Sequence, residues 1–240
     1  MFAGTMTLTT VLIWFCVPQP DVDRDTERLT VARAIAGYRE LLSRRVVAFA
    51  SATYFLMFFS IGLYVIYLPT WLETTLNVSG TSIASLFLVG GLASVISGPM
   101  AGKLSDRTGR KPLILVSCFG LSAVMIVTTY WTTSMWVAYV LFGFAMVMFG
   151  LRMSPLQSLM TAIVEERRRG ALLSLAVAIG QIGIGIGGAA AGFAYVKWGF
   201  ISNTATGAVA ILGMAWLVHF HLPEPQMKNS EVIDLGMEDT

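Results

Sequence analysis

Ten consecutive residues, Gly102-Lys103-Leu104-Ser105-Asp106-Arg107-Thr108-Gly109-Arg110-Lys111, hold four cations, one carboxylate and two glycines. Asp106 is the only carboxylate among Lys103, Arg107, Arg110 and Lys111, so the chemistry on offer is ion pairing rather than bond-making. Beside low-dielectric lipid such a pair counts for more than at an open surface, provided that it stays hydrogen-bonded. A pair made in one conformation and broken in another biases the equilibrium between them by about one or two kcal/mol. Gly102 lets helices approach closely, and Gly109 permits a left-handed or sharp turn. The plainer reading is that the cations only fix which way the chain crosses a membrane.

Arg152 is the second residue that demands a reason, because it lies deep in an apolar run. A cation at that depth costs about 2.5–3.5 kcal/mol or more, so it should face a cavity or a partner and not lipid. Pro155 follows and frees a backbone carbonyl, which favours a locally opened helix. On an ideal helix Gly150, Ser154, Gln157, Ser158 and Thr161 share one face, with Arg152 roughly opposite. Two readings stay open: Arg152 serves substrate or coupling, or it is structural and pairs with a carbonyl or carboxylate elsewhere. Gln157 and Gln181 are further binding candidates, although a lone amide can simply bond a neighbouring helix. Tyr54 and Phe58 share a face and could wall a cavity for an apolar or aromatic substrate, or serve as ordinary span filler.

Other chemistries find no residues. Cys16 and Cys118 both lie in apolar segments and read as small packing side chains. Histidine occurs only at 219 and 221, which leaves no cluster of metal ligands. There is no Gly-rich phosphate loop, no pair of catalytic acids and no nucleophile–base pair. Neither a cofactor nor enzymatic activity is expected. A net charge of +2 is too small to suggest nucleic acid as a partner.

The elements that must hold these residues are membrane spans. Of the 240 residues 55% are hydrophobic and 12% charged, against about 25% charged in a soluble domain. Six long apolar runs extend over 46–72, 81–101, 112–131, 135–164, 171–196 and 200–222. Each is about twenty residues or more, enough to cross ~30 Å of hydrocarbon. Residues 1–17 are apolar but short and lack the charged start of a secretory signal, so they read as the remnant of a span. Residues 18–45 form a loop whose second part is an amphipathic helix suited to an anionic inner leaflet. Residues 223–240 are polar and expected to be disordered.

Charge orients the set. With the Asp106 segment inside, 14 of the 16 Lys and Arg residues fall inside: six in 18–45, four around Asp106, three in 165–169, and Lys228. The opposite side receives only Lys197, and Arg152 is within a span. Such asymmetry predicts a multi-pass protein of a plasma or inner membrane, with loop 18–45 and the C-terminus cytoplasmic.

The fifth run is rich in glycine. Gly180, Gly183 and Gly187, with Ala191, make one helical stripe; Gln181, Gly185, Gly188 and Gly192 make another. Small residues at this spacing let helices pack backbone to backbone in lipid, and two stripes predict two neighbours. No run has a carboxylate near its centre. Proton coupling through a buried Asp or Glu would therefore draw on a group outside this chain.

The segment 102–114 resembles the motif of the major facilitator superfamily, Gly-x-Leu-Ala-Asp-Arg-x-Gly-Arg-Lys-x-x-Leu, with Ser105 for Ala and Ile114 for the last Leu. It follows the second span of a block of six behind a basic loop, which is similar to the C-terminal half of a twelve-span transporter. Glu165-Glu166-Arg167-Arg168-Arg169-Gly170 resembles the turn after the fourth span of such a half, and Leu222-Pro223-Glu224-Pro225 looks like the close of many efflux members. Where the family often has a carboxylate at the end of the fourth span, this chain has Ala162.

The resemblance implies an all-α polytopic fold: a six-helix bundle, half of a major-facilitator-type fold, plus a truncated N-terminal span. It implies secondary active, alternating-access transport of a small molecule, by efflux or coupled to protons. It assigns a conformational latch to Gly102, Asp106, Arg107, Gly109, Arg110 and Lys111, and it places the first and fourth spans at the central cavity. The expected partners are the lipid bilayer, a small-molecule substrate, and a missing N-terminal half or second six-span bundle. The alternative is a non-transporting membrane protein or scaffold relic that associates with a full-length transporter.

Overall fold

The computed structural model describes residues 2–16, 31–165 and 168–222. Expectations for 223–240, and for the start of the amphipathic segment, lie outside these residues. The chain divides into two units, Met1–Ala36 and Gly37–Thr240. In the first, α1 (Phe2–Cys16) is a helix of 15 residues. Helix α2 (Val31–Ser43) spans the boundary between the units.

The second unit holds α3 (Arg45–Val65), α4 (Leu68–Leu76), α5 (Gly80–Thr108), α6 (Arg110–Trp131), α7 (Met135–Ala162), α8 (Arg169–Trp198) and α9 (Phe200–His221). Taking α3 and α4 as one, these provide six spans long and apolar enough to cross a membrane. Neighbours in space run α8, α3, α9, α6, α7, α5, so that α3 sits between two helices remote from it in sequence. All described residues outside helices are turns or irregular, and the fold is all-helical.

Lipid tails are as apolar as leucine, so close packing and hydrogen bonds across helices must hold such a bundle together. At the centre Met57, Ile114, Cys118, Met125, Leu156 and Met214 are all fully or almost fully buried. Short hydroxyls link the layer of α3, α6 and α9. The Ser60 Oγ donates to the Gly207 carbonyl at 3.0 Å, and the Ser122 Oγ to the Ala208 carbonyl at 3.0 Å. The Tyr64 and Thr128 hydroxyls meet at 3.0 Å, and those of Thr129 and Thr204 at 2.8 Å.

The structure redraws three boundaries. The first run is not one helix: α3 stops at Val65 and α4 restarts at Leu68, with Pro69 in its first turn. Proline lacks an N–H and its ring crowds the carbonyl four residues back, here that of Val65, which favours a helix end ahead of it. The second run extends past Ala101 to Thr108, so most of the charged segment is helix rather than turn. Gly109 alone joins α5 to α6, at φ +91°, and Gly199 alone joins α8 to α9, at φ +76°. A side chain at either position would be strained, and this is the reason that helices of 29 and 22 residues can meet at one residue. Finally, α7 runs through Pro155 as a continuous helix, where an opening had been expected.

Candidate functional site

Three features of the second unit could carry function: an apolar cleft, a buried guanidinium and a charged corner.

The cleft lies between α3, α5 and α7 and encloses about 290 Å³. Helix α3 supplies Ile61 and Val65, α5 supplies Phe87, Gly90, Gly91 and Ser94, and α7 supplies Phe142, Met146 and Phe149. Phe87 and Phe142 meet edge to face with centroids 5.2 Å apart, which fixes one wall. Gly91 leaves open space where a Cβ would stand, while Gly90 is closed over by the Phe142 ring and Met146. None of these residues was among the sequence candidates. A signal existed on α7, where 142, 146 and 149 follow the i, i+4, i+7 spacing of one helix face. The other two walls come from helices that the sequence alone does not bring alongside.

Arg152 lies one turn beyond Phe149 and is 0% exposed, the largest of the fully buried side chains. Its guanidinium carbon sits 5.3 Å from the centroid of the Phe149 ring. The Cys118 thiol of α6 interacts with it electrostatically. The thiol is thus a polar neighbour, but no hydrogen bond of normal geometry reaches Nε, Nη1 or Nη2. Cation–π attraction of about 2 kcal/mol in a dry site falls short of the several kcal/mol needed to desolvate a charge. Arg152 is therefore an unsatisfied cation, held between the bundle centre and the back of the cleft wall.

The remaining candidates fall into two groups. Tyr54 is 2% exposed, its hydroxyl interacts with the Gln157 amide, and its ring is 6.1 Å from that of Phe58. Phe58 in turn closes over Gly180. Gln157 and Gln181 are both exposed. The polar face of α7 packs in part against α5: Gly150 is covered by Ser97, and the Ser154 Oγ lies 3.7 Å from the site of a Cβ on Gly102. Arg152 and the group around Tyr54 thus do not converge on one point.

The glycine stripes resolve differently from the two-neighbour expectation. A Cβ at Gly183 would lie 2.7 Å from the Phe55 carbonyl oxygen, and one at Gly187 would strike the Phe59 carbonyl, both on α3. Gly188 and Gly192, from the second stripe, face the same side, against Ile66 and Tyr67 in the link from α3 to α4. Gly185 meets nothing. A glycine at α3 itself, Gly62, completes the close approach, so the small residues form one wide seam rather than two.

At the charged corner the cations reach helix ends. The Arg110 Nη1 donates to the Ser158 carbonyl at 3.3 Å, in the last turns of α7, and the Lys111 Nζ to the His219 carbonyl at 3.2 Å, at the end of α9. The Arg169 Nε donates to the Thr161 carbonyl at 3.1 Å. Orphan carbonyls and the negative end of the helix dipole favour cations at these sites. Asp106 and Arg107 are exposed on the last turns of α5, and Asp106 makes no ion pair among the described residues, against the pairing expected from composition. The reason is geometric. Arg110 and Lys111 lie beyond the Gly109 break, which turns them toward α7 and α9 and away from Asp106, while Lys103, one turn before Asp106 on the same helix face, is exposed. No group of His, Cys, Asp and Glu able to hold a metal occurs among the described residues.

Comparison with known proteins agrees with this architecture. A sequence profile described as Major Facilitator Superfamily matches the chain twice, over residues 1–151 and 50–235. An uncharacterized protein of Archaeoglobus fulgidus is 35% identical over 94 residues, which are 37% of this chain and 40% of that protein. The match thus spans well under half of that relative. Six apolar spans, a hinge of one glycine after the second of them, and a profile match covering most of the chain have one common explanation: the chain is a membrane protein of the Major Facilitator Superfamily.

Proposed function

We propose that the chain is the C-terminal half of a secondary active transporter that exports a small molecule by alternating access against a second six-span bundle. The observation that carries this reading is the cleft between α3, α5 and α7, an unfilled apolar space walled by the first and fourth spans. Substrate sites of such transporters lie near the bilayer midplane at the interface between repeats. Export as the direction rests on the likeness of the chain's close to efflux members. The charged corner is the latch. Asp106, exposed and without an ion pair among the described residues, is matched by a group of the opposing bundle in one state and released in the other. The charge asymmetry supports a cytoplasmic side for this corner, loop 18–45 and the C-terminus.

Single cysteines test the reading. In a background with Cys16 and Cys118 replaced, Ser94→Cys should react with an impermeant maleimide from both sides of the native membrane. Adding Asp106→Asn should shift the ratio of the two rates. Reaction from one side only, unmoved by Asp106→Asn, would exclude alternating access at this cleft. Thr108→Cys reacting from the outside would overturn the orientation.

A further inference from the structure

We infer that the cleft between α3, α5 and α7 takes an amphipathic organic anion, with its apolar body among Phe87, Phe142 and Met146 and its anionic head on Arg152 after the Phe149 ring swings aside. The inference rests on the transporter reading and names the substrate class of the same site.

Three observations meet at Phe149. It lines the cleft, its ring lies 5.3 Å from the Arg152 guanidinium, and it is only partly buried. One aromatic ring thus separates an apolar space of about 290 Å³ from a cation that is 0% exposed and has three unpartnered nitrogens. A guanidinium offers a planar fork of donors that matches a carboxylate or phosphate at two points. The chain holds no carboxylate in the interior of a span to occupy that fork. A buried cation with no countercharge gains most from an anion brought to it, and Phe149 is the side chain whose rotation opens the way. The apolar lining excludes small hydrated anions, because nothing in the walls but Ser94 would replace their water. An anion carrying an aromatic or aliphatic body satisfies both parts.

The test uses 4-phenylbutyrate and its uncharged amide as probes of equal shape, titrated calorimetrically into the full chain in nanodiscs against empty nanodiscs. At neutral pH the carboxylate should bind tighter than the amide by about tenfold or more, the worth of hydrogen bonds to a charged partner. Arg152→Gln should erase that preference by weakening the carboxylate far more than the amide, and Arg152→Lys should retain part of it. A preference that survives Arg152→Gln, or binding of neither probe, overturns the inference. Neither result touches the maleimide test of alternating access. Because Arg152→Gln could fail to fold, Phe149→Ala gives an independent measurement. Arg152 should become reactive to phenylglyoxal, with protection by the carboxylate and none by the amide. An Arg152 that stays unreactive in Phe149→Ala would mean that the ring is no door.

Discussion

On one flank of α3 the glycines of α8 bring two backbones into contact; on the other, α5 and α7 stand off and leave a space of about 290 Å³. The same helix is thus fixed on one side and open on the other. In lipid there is no hydrophobic drive between helices, so firmness must come from how many atoms touch. The α8 flank achieves this by deleting side chains. The cleft flank carries large rings that touch each other, Phe87 on Phe142, more than they touch α3.

The comparison breaks hardest at the seam. Gly187→Ala would drive a methyl group into the Phe59 carbonyl, and Gly62→Ala would place one 2.6 Å from the Ile184 carbonyl oxygen. Backbone cannot rotate away as a side chain can. Each should lower stability by about 1–3 kcal/mol, the range for overpacking, or prevent assembly. Gly185→Ala, on the same helix but facing open space, should instead be neutral or gain up to about 1 kcal/mol from helix propensity. Thermal unfolding of the three variants in one detergent checks the contrast, and equal effects would mean that α8 is not held by close approach.

The next largest effect falls on the cleft and should be functional rather than structural. Gly91 lines the space and a Cβ there meets nothing. Gly91→Phe should fill the cleft and abolish probe binding while melting temperature stays within about a degree or two of wild type, as for other changes away from packed contacts. Gly90→Ala one residue earlier meets the Phe142 ring and Met146. Those are side chains that can give, so its cost should lie between the seam glycines and Gly91. A large loss of stability in Gly91→Phe would show that the flank is closed in the folded protein.

The third side of α3 faces α6 and α9 and is held by hydroxyls. Tyr64→Phe removes the 3.0 Å contact with the Thr128 hydroxyl, which keeps its bond to the Val124 carbonyl at 2.7 Å. With no group left orphaned, the expected loss is about 0.6 kcal/mol, the mean for hydrogen bonds between membrane helices. A much larger loss would mean that this face, and not the glycine seam, anchors α3.

What could be read from the residues follows the same division. Spans were legible because twenty apolar residues have few other uses, and the seam was legible because glycine at helical spacing has few others. One boundary was not legible: the apolar run ends at Ala101, but α5 continues to Thr108 because helix can carry charge beyond the membrane, and Gly109 sets its end. The depth of Arg152 showed that its charge must avoid lipid, but that its head lies behind Phe149 follows only from tertiary packing. The cleft itself was not legible, since its walls sit on α3, α5 and α7 and only tertiary packing brings them together.

The smallest effect should come from the pair that extends the seam beyond the spans. The Arg168 Nη1, just ahead of α8, meets the Glu40 Oε1 of α2 at 2.8 Å, with side chains 37% and 60% exposed. Hydrogen bonding to Arg168, and then its charge, holds the Glu40 carboxyl below its usual 4.5, with Arg44 adding a little. A carboxyl whose folded pKa is depressed stabilises the fold above its unfolded value and loses that contribution as pH falls through the folded one. The pair should therefore be intact at neutral pH and fade below about pH 4.5. Exposure and salt screen it strongly, so Glu40→Gln should leave melting at neutral pH nearly unchanged in high salt and lower it slightly in low salt. If Glu40→Gln cost as much as Gly187→Ala, the hold on α8 would lie in charge at its start and not in glycine along its length.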